Sequence, residues 1–337
     1  MNALSKETSE KNLRTLDQAL RPDSWGEYVG QPTIKENLRI LLTAAKGRGH
    51  QPEHILLYGP PGLGKTTLAH LITKEIGTSL RITSGPAIER VGDLASILTN
   101  LAPGDVLFID EIHRLNRTIE EILYPAMEAG VLDIVIGKGP AARTVQLELP
   151  PFTLIAATTR ISMLSAPLRS RFSGGVFRLA YYNEDELSEI IRRSAEILRI
   201  PIDHDSLHEI ARRSRATPRT ANYLLKRCRD FAEVSEAELD LKTARKALSM
   251  LEIDELGLNQ LDRDILTVIA EKFGGGPTGL KTIAAALSEE DSTIEEVCEP
   301  YLMQVGLLER TPRGRTVTEK GYGHIGATFP NAQEKLL

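Results

Sequence analysis

The stretch GPPGLGKT, Gly59 to Thr66, carries the pattern G-x-x-x-x-G-K-[ST], and each fixed type in it has a chemical reason. Gly62 and Gly64 can take backbone angles that turn peptide N–H groups toward phosphate oxygens. Lys65 brings a cation to the β- and γ-phosphates, and Thr66 offers a hydroxyl to Mg²⁺. The helical run that begins at Thr66 and Thr67 adds the positive end of its dipole. Further along, LFIDEIHRLN sets Asp110 and Glu111 at the end of an apolar run. One such carboxylate can hold Mg²⁺ through water while its neighbour polarises a water aimed at the γ-phosphate. Alone, the pair is more often a solvated turn; the phosphate loop upstream turns the reading toward chemistry. Thr158 and Thr159 close the run TLIAATT, where the Thr159 hydroxyl could read the γ-phosphate, orient the water, or cap a turn. Arg171 in APLRSRF and Arg219 in ATPRTANYLL could supply positioned charge to phosphoryl transfer, the plainer alternative being a salt bridge. His113 and Arg114 read as surface or structural residues.

Stepping from these residues to the elements that must hold them, HILLYG, TTLAHLITKEIG, DVLFID and TLIAATT alternate short apolar runs with helical periodicity from about Arg21 to Tyr182. That alternation predicts an α/β domain, a parallel sheet wrapped by helices, with ligands at the ends of its strands. LDIVIGKGPAARTVQLEL reads as a β-hairpin turning at Gly137 to Ala142, with Val145, Leu147 and Leu149 alternating against polar residues. After Tyr182 the pattern becomes helical, with Asn183 or Asp185 as a cap and Pro218 early in its helix, which predicts a small all-α domain. The last segment gives short helices and then GLLERTPRGRTVTEKG, two extended pieces about a Pro/Gly/Arg turn, the outline of a winged helix. The divisions fall at 1–19 (a polar tail), 20–182, 183–255 and 256–337, with the hairpin near 132–149.

The chain has 337 residues, 41% hydrophobic and 26% charged, which excludes a disordered chain and leaves room for more than one core. No run of about 18 apolar residues exists to span a bilayer, and the polar N-terminus lacks the apolar stretch of a signal peptide, so a cytosolic protein is expected. Cys228 and Cys298 lack metal-ligand partners in sequence and read as packing residues. The formal charge of -5 gives no bulk sign of nucleic-acid binding. A local patch would have to supply one, and RTPRGR, Arg310 to Arg315, is such a patch or else a solvated basic turn.

GPPGLGKTTLA, FIDEIHRLNR, ATTR, PLRSRF and ATPRTAN, in that order and spacing, resemble the AAA+ ATPases. SGPAIERVGDLASILTNLAPGDVLFIDEIHRLNR, IGKGPAARTVQLELPPFTLIAATTR and the tail from GGGPTGLKTIAAALSEED to RTPRGR look more closely like the RuvB family of Holliday-junction branch-migration motors, over roughly Leu20 to Tyr322. The resemblance implies an AAA+ core, a helical lid and a C-terminal winged helix, with ATP and Mg²⁺ as ligands. Lys65, Thr66 and Asp110 would hold phosphate and Mg²⁺, Glu111 would prepare the water, and Thr159 and Arg219 would be sensors on strand and lid. Arg171 would reach a neighbouring subunit's nucleotide, so hydrolysis would need a homo-oligomeric, hexameric ring. Leu20, Arg21, Tyr28 and Val29 would surround adenine, with Tyr181 and Pro218 on its far side and Glu128 near a neighbour's nucleotide. Tyr28 and Val29 could also be core.

The same resemblance places Val145 and Leu147 on a hairpin that docks a RuvA-like junction-binding protein, unless they pack on their own domain. It places Arg310, Arg313 and Arg315 on the wing, against the phosphates of double-stranded DNA. A RuvC-like endonuclease is a further implied partner. Two departures from the family pattern stand out. RFSGGVFRL follows Arg171 where relatives usually read RFG and then a single further residue, which predicts a longer, freer loop. Ala129 and Gly130 stand where relatives carry an acidic-aromatic pair. Two rival readings share the ATP chemistry: a loader or remodeller acting on another substrate, and an ATP-switched DNA-binding regulator.

Overall fold

A computed structural model describes Leu16, residues 18–136 and residues 143–330. The chain divides into two compact units, one of residues 1–59 and 63–180, the other of residues 60–62 and 181–337. Each is described by itself. No helix among the described residues is long and apolar enough to cross a membrane.

The first unit begins with α1 (Pro32–Gly47) and then alternates β1 (Ile55–Tyr58), α2 (Lys65–Ile76), β2 (Leu80–Ser84), α3 (Val91–Thr99), β3 (Val106–Asp110) and α4 (Arg117–Ala129). The hairpin strands β4 (Val131–Ile136) and β5 (Arg143–Glu148) follow, then β6 (Thr153–Thr158), a short α5 (Ala166–Arg169) and β7 (Gly175–Arg178). Five strands make one parallel sheet in the order β2-β3-β6-β1-β7, as the alternation predicts. β3 and β6 are apolar along nearly their whole length because helices cover both faces. Leu56, Leu107, Ile109, Leu154 and Ala156 share one core with Leu94 and Leu98 of α3 and Ile119 and Leu123 of α4. Edge strand β2 is more open, with Ile82 exposed.

The hairpin forms in the register the alternation implies, with Leu132 opposite Leu147 and Ile134 opposite Val145, while its expected turn at 137–142 lies outside the described residues. Leu147 and Ile134 pack against the domain core, and Val145 is exposed. The two departures acquire physical reasons. Gly130 ends α4 in the left-handed region at φ 66°, and its N–H caps the Pro125 carbonyl, a position that suits glycine. The loop after Arg171 is not free. Gly174 N–H donates to the His54 carbonyl at 2.9 Å, and a Cβ there would lie 2.6 Å from the Glu53 carbonyl oxygen. The second glycine, Gly175, opens β7. The extra residues are backbone packed on backbone.

In the second unit, α6 (Glu184–Leu198) is capped by Asn183 and Glu186 in a reciprocal box, α7 (His204–Arg212) by Asp203, α8 (Pro218–Val234) by Thr217 and α9 (Leu241–Met250) by Asp240. α10 (Gln260–Thr267), α11 (Leu280–Leu287) and α12 (Glu299–Gln304) lead to β8 (Leu308–Thr311) and β9 (Gly314–Val317), an antiparallel pair. This is the winged-helix outline, closed over Ile265, Ile269, Ile283, Leu302 and Leu307 and followed by α13 (Glu319–His324). Cys228 and Cys298 are buried packing residues whose thiols burial pushes up to about 12.

Replacing Gly174 with Ala should cost about 1–3 kcal/mol, because backbone must move to admit the methyl. Gly92→Ala, at a helical glycine with open space around it, serves as the control. In a thermal melt the first variant should lower the transition that involves β7, and the second should not.

Candidate nucleotide site and DNA-binding wing

Strands β1, β6 and β3 are neighbours in register, Tyr58 opposite Thr158 and Ala156 opposite Ile109, so the three loops that leave their C-terminal ends lie side by side. After β1, Gly59, Gly62 and Gly64 all take positive φ, and α2 opens directly at Lys65. Leu63 is fully buried and pins the loop from beneath. Lys65 is buried at 8% exposure, and its Nζ donates to the Gly59 carbonyl at 2.7 Å, folding the ammonium back over the loop. Thr66 and Thr67 stand in the first turn of α2. Tyr28 is buried with its hydroxyl 3.1 Å from where a Gly64 Cβ would sit, so it bears on the loop and is core as well. Leu20 is buried, Val29 half-buried, and Arg21 Nη1 donates to His70 Nε2 of α2 at 2.7 Å.

Asp110 ends β3, its Oδ1 accepting from the Glu111 N–H at 3.0 Å. Glu111 sits in the left-handed region at φ 48°, and its carbonyl approaches Gly85 so closely that a Cβ there would be 2.3 Å away. A non-glycine residue held at such an angle is a common mark of a working site. Glu111 Oε2 accepts from Thr159 Oγ1 at 3.1 Å and lies 3.1 Å from His113 Nδ1. Partial burial works against the Glu111 carboxylate, but hydrogen bonds and charge from His113, with Thr159 and Lys65, outweigh it and hold its pKa below the usual glutamate value. Of the two expectations for His113, surface or structural, the structure favours the structural one. Its side chain is 2% exposed, and Nδ1 also lies 2.9 Å from Thr158 Oγ1, so it braces both the carboxylate and the strand end.

Arg171 folds against α4. Its guanidinium lies 4.3 Å from the Tyr124 ring centroid, Nη2 is 3.0 Å from Glu128 Oε1, and Nη1 donates to the Pro167 carbonyl at 2.6 Å. Glu128 is therefore the partner of Arg171 in its own subunit. In the second unit, Pro218 opens α8, and the exposed Arg219 follows it. Thr217 and Arg219 approach Gly62 of the phosphate loop, whose carbonyl lies 3.4 Å from the Arg219 N–H. Burial raises the Tyr181 phenol to about 12, and its ring packs edge-on to Tyr301 at 6.4 Å.

On the wing, Arg310 and Arg315 are register partners across β8 and β9. Both turn toward Glu295 and Glu299, and Arg315 is buried at 8% exposure with Nη2 2.9 Å from Glu299 Oε2. Arg315, expected against phosphate, is here engaged by a buried carboxylate that needs the guanidinium. Arg310 and Arg313 are the exposed arginines of the stretch.

The family model described as the Holliday junction DNA helicase RuvB P-loop domain matches residues 20–179, that of the RuvB AAA lid domain residues 182–254, and that of the RuvB C-terminal winged helix domain residues 255–326. The Holliday junction branch migration complex subunit RuvB of Dehalococcoides mccartyi (strain CBDB1) is 57% identical over 94% of this chain and 90% of its own. That of Chloroflexus aggregans is 54% identical over 96% and 92%. The chain belongs to the RuvB family. Among solved RuvB structures, that of the Thermotoga maritima RuvB Holliday junction branch migration motor superposes with a TM-score of 0.86 at 48% identity, covering 93% of this chain and all of that one.

Within the RuvB fold, Gly85 and Tyr124 support the site without having been singled out in the sequence, and His113 supports it as a structural residue. His113 lies two residues from Glu111 in the same motif, and Gly85 precedes a helical turn, so local sequence gave no sign that a carbonyl must pass over it. Removing the imidazole by His113→Ala should return Glu111 toward the ordinary carboxylate range. On the expectation that ionised Glu111 is the base, the acid limb of the ATP-turnover profile should then move to higher pH. A limb that stays in place would show that His113 does not set it.

Proposed function

We propose that this chain is an ATP-hydrolysing DNA motor that assembles as a homo-hexameric ring on double-stranded DNA and drives branch migration of Holliday junctions with a RuvA-like protein. The observation that carries the reading is the Glu111 carboxylate, held ionised by Thr159 and His113 beside a phosphate loop, in a chain more than half identical to a branch migration complex subunit. ATP binds with its phosphates along Gly62 to Thr66, and Lys65 meets the β/γ-phosphates. Thr66 and Asp110 are hard oxygen donors at neighbouring loop and strand end, a set that fits Mg²⁺. An ion held there would be completed by water and phosphate oxygens. Bound there, Mg²⁺ neutralises charge on the phosphates.

Glu111 takes the proton of the attacking water, and Thr159 keeps the carboxylate aimed. Leu20, Arg21, Tyr28, Val29, Tyr181 and Pro218 enclose the base, and Arg219 reads the nucleotide from the lid. Arg171, drawn away from Tyr124 and Glu128, reaches the nucleotide of the adjacent subunit. Val145, exposed on the hairpin, and Leu147, two residues along the same face and partly buried, are the contacts for the RuvA-like partner. Arg310 and Arg313 hold phosphates of the duplex without reading bases. The domains run 20–182, 183–255 and 256–337, the protein works in the cytoplasm, and its product suits a RuvC-like endonuclease.

The direct test incubates the protein with ATP, Mg²⁺, a synthetic four-way junction and a RuvA protein, and follows duplex products on a gel. Wild type should convert the junction. Glu111→Gln should bind ATP yet turn it over about 10²–10⁴-fold more slowly and leave the junction intact. ATP consumed by wild type with the junction unmoved would sink the motor reading. Separately, Arg171→Ala subunits and Lys65→Ala subunits, each inactive alone, should regain part of the ATPase rate when mixed, because one donates the arginine and the other the phosphate loop. Folded, ring-forming mixtures that stay inactive would place Arg171 outside the neighbour's site.

A further inference from the structure

The side chain of Arg215 ties the turn between α7 and α8 to the winged helix. Arg215 and Ala216 both stand in the left-handed region, at φ 52° and 54°, an uncommon arrangement for two consecutive residues that are not glycine. Arg215 Nη1 pairs with Asp262, which is fully buried at the start of α10, and Nη2 donates to the Val297 carbonyl at 2.9 Å. The guanidinium also lies 4.9 Å from the Tyr301 ring centroid, and Tyr301 Oη donates to the Leu256 carbonyl at 2.7 Å. One planar fork thus engages a carboxylate, a carbonyl and a ring face, which a lysine could not do. On its other side the turn meets nucleotide-site residues. The Ala216 carbonyl accepts from Tyr182 N–H at 3.0 Å, beside Tyr181. Thr217 and Arg219 lie against Gly62 of the phosphate loop.

We propose that Arg215 is a positioning residue that rivets the nucleotide-reading turn, Thr217 to Arg219, to the winged helix, so that lid and wing move as one lever when nucleotide shifts that turn. The inference rests on the motor reading above, and Arg215 itself touches neither nucleotide nor DNA. A chain of packed groups runs from Gly62 through Thr217 and Arg219, the left-handed pair and Arg215 to Asp262, Val297 and Tyr301, all within one compact unit. Stiffness along that chain converts ATP turnover into displacement of the wing. Without it, the site would still turn over ATP while the wing lagged.

The test compares wild type with the double variant Arg215→Met/Asp262→Leu, which removes the pair without leaving a lone buried charge. Melting temperature, ATPase rate without junction, and ATP consumed per junction migrated with a RuvA protein are measured together. The double variant should melt close to wild type and hydrolyse ATP within roughly threefold of it, yet consume roughly fivefold or more ATP per junction. Arg215→Lys keeps a charge for Asp262 but loses the fork and the ring contact, and covers the case in which the double variant fails to fold. It should raise the ratio as well. A folded variant of either kind with the wild-type ratio overturns the proposal. ATP turnover by wild type without migration would sink the motor reading and this inference with it.

Discussion

Parallel strands bring their C-terminal ends to one edge, and the register of β3, β6 and β1 fixes what meets there: Asp110 and Glu111, Thr158 and Thr159, and the phosphate loop. Every chemical group of the nucleotide site in the first unit hangs on that pairing. A slip of one residue would exchange the two faces of a strand and carry Thr159 away from Glu111. The near-continuous apolar runs of β3 and β6 enforce the register, because both faces of those strands are covered and neither tolerates a polar residue short of the strand end.

Charge inside the protein is handled by pairing. Glu111 has His113 and Thr159, Asp262 has Arg215, Glu209 has Arg213, and Glu299 has Arg315. These pairs contribute little net stability compared with apolar packing, because desolvation offsets much of the attraction. Their effect is geometric: a guanidinium or imidazole with one buried carboxylate to satisfy has one orientation. Arg171 differs in being held by a ring face, a carbonyl and a partly exposed carboxylate, contacts that water or another anion can replace at small cost.

The phosphate loop, the acidic motif, the hairpin strands and the helix caps were legible in the sequence because each is a contiguous pattern whose physics is local. His113 was not fully legible, since burial depends on which helices cover the strand end and no neighbouring residue reports it. The pairing of Arg315 was not legible because RTPRGR looks uniform along the chain. Only the β8/β9 register reveals that it stands opposite Arg310 above a buried glutamate. The glycines of RFSGG were read as freedom, whereas Gly174 is small because the 53–54 backbone needs the space. The Arg215 turn carries no sequence signal: two ordinary residues adopt left-handed angles that only their surroundings impose.

With Arg315 paired to Glu299, the wing keeps two exposed arginines in this stretch, one of them shared with Glu295. At about 0.9 of a counterion released per phosphate neutralised, these two arginines would give the proposed DNA contact of a single wing a shallow dependence of affinity on salt, with a slope near −2. A grip that light has a kinetic merit. In the ring proposed above, each protomer would let go and take hold again quickly while the others retain the track, and the carboxylate beneath β9 would set how long one subunit stays attached.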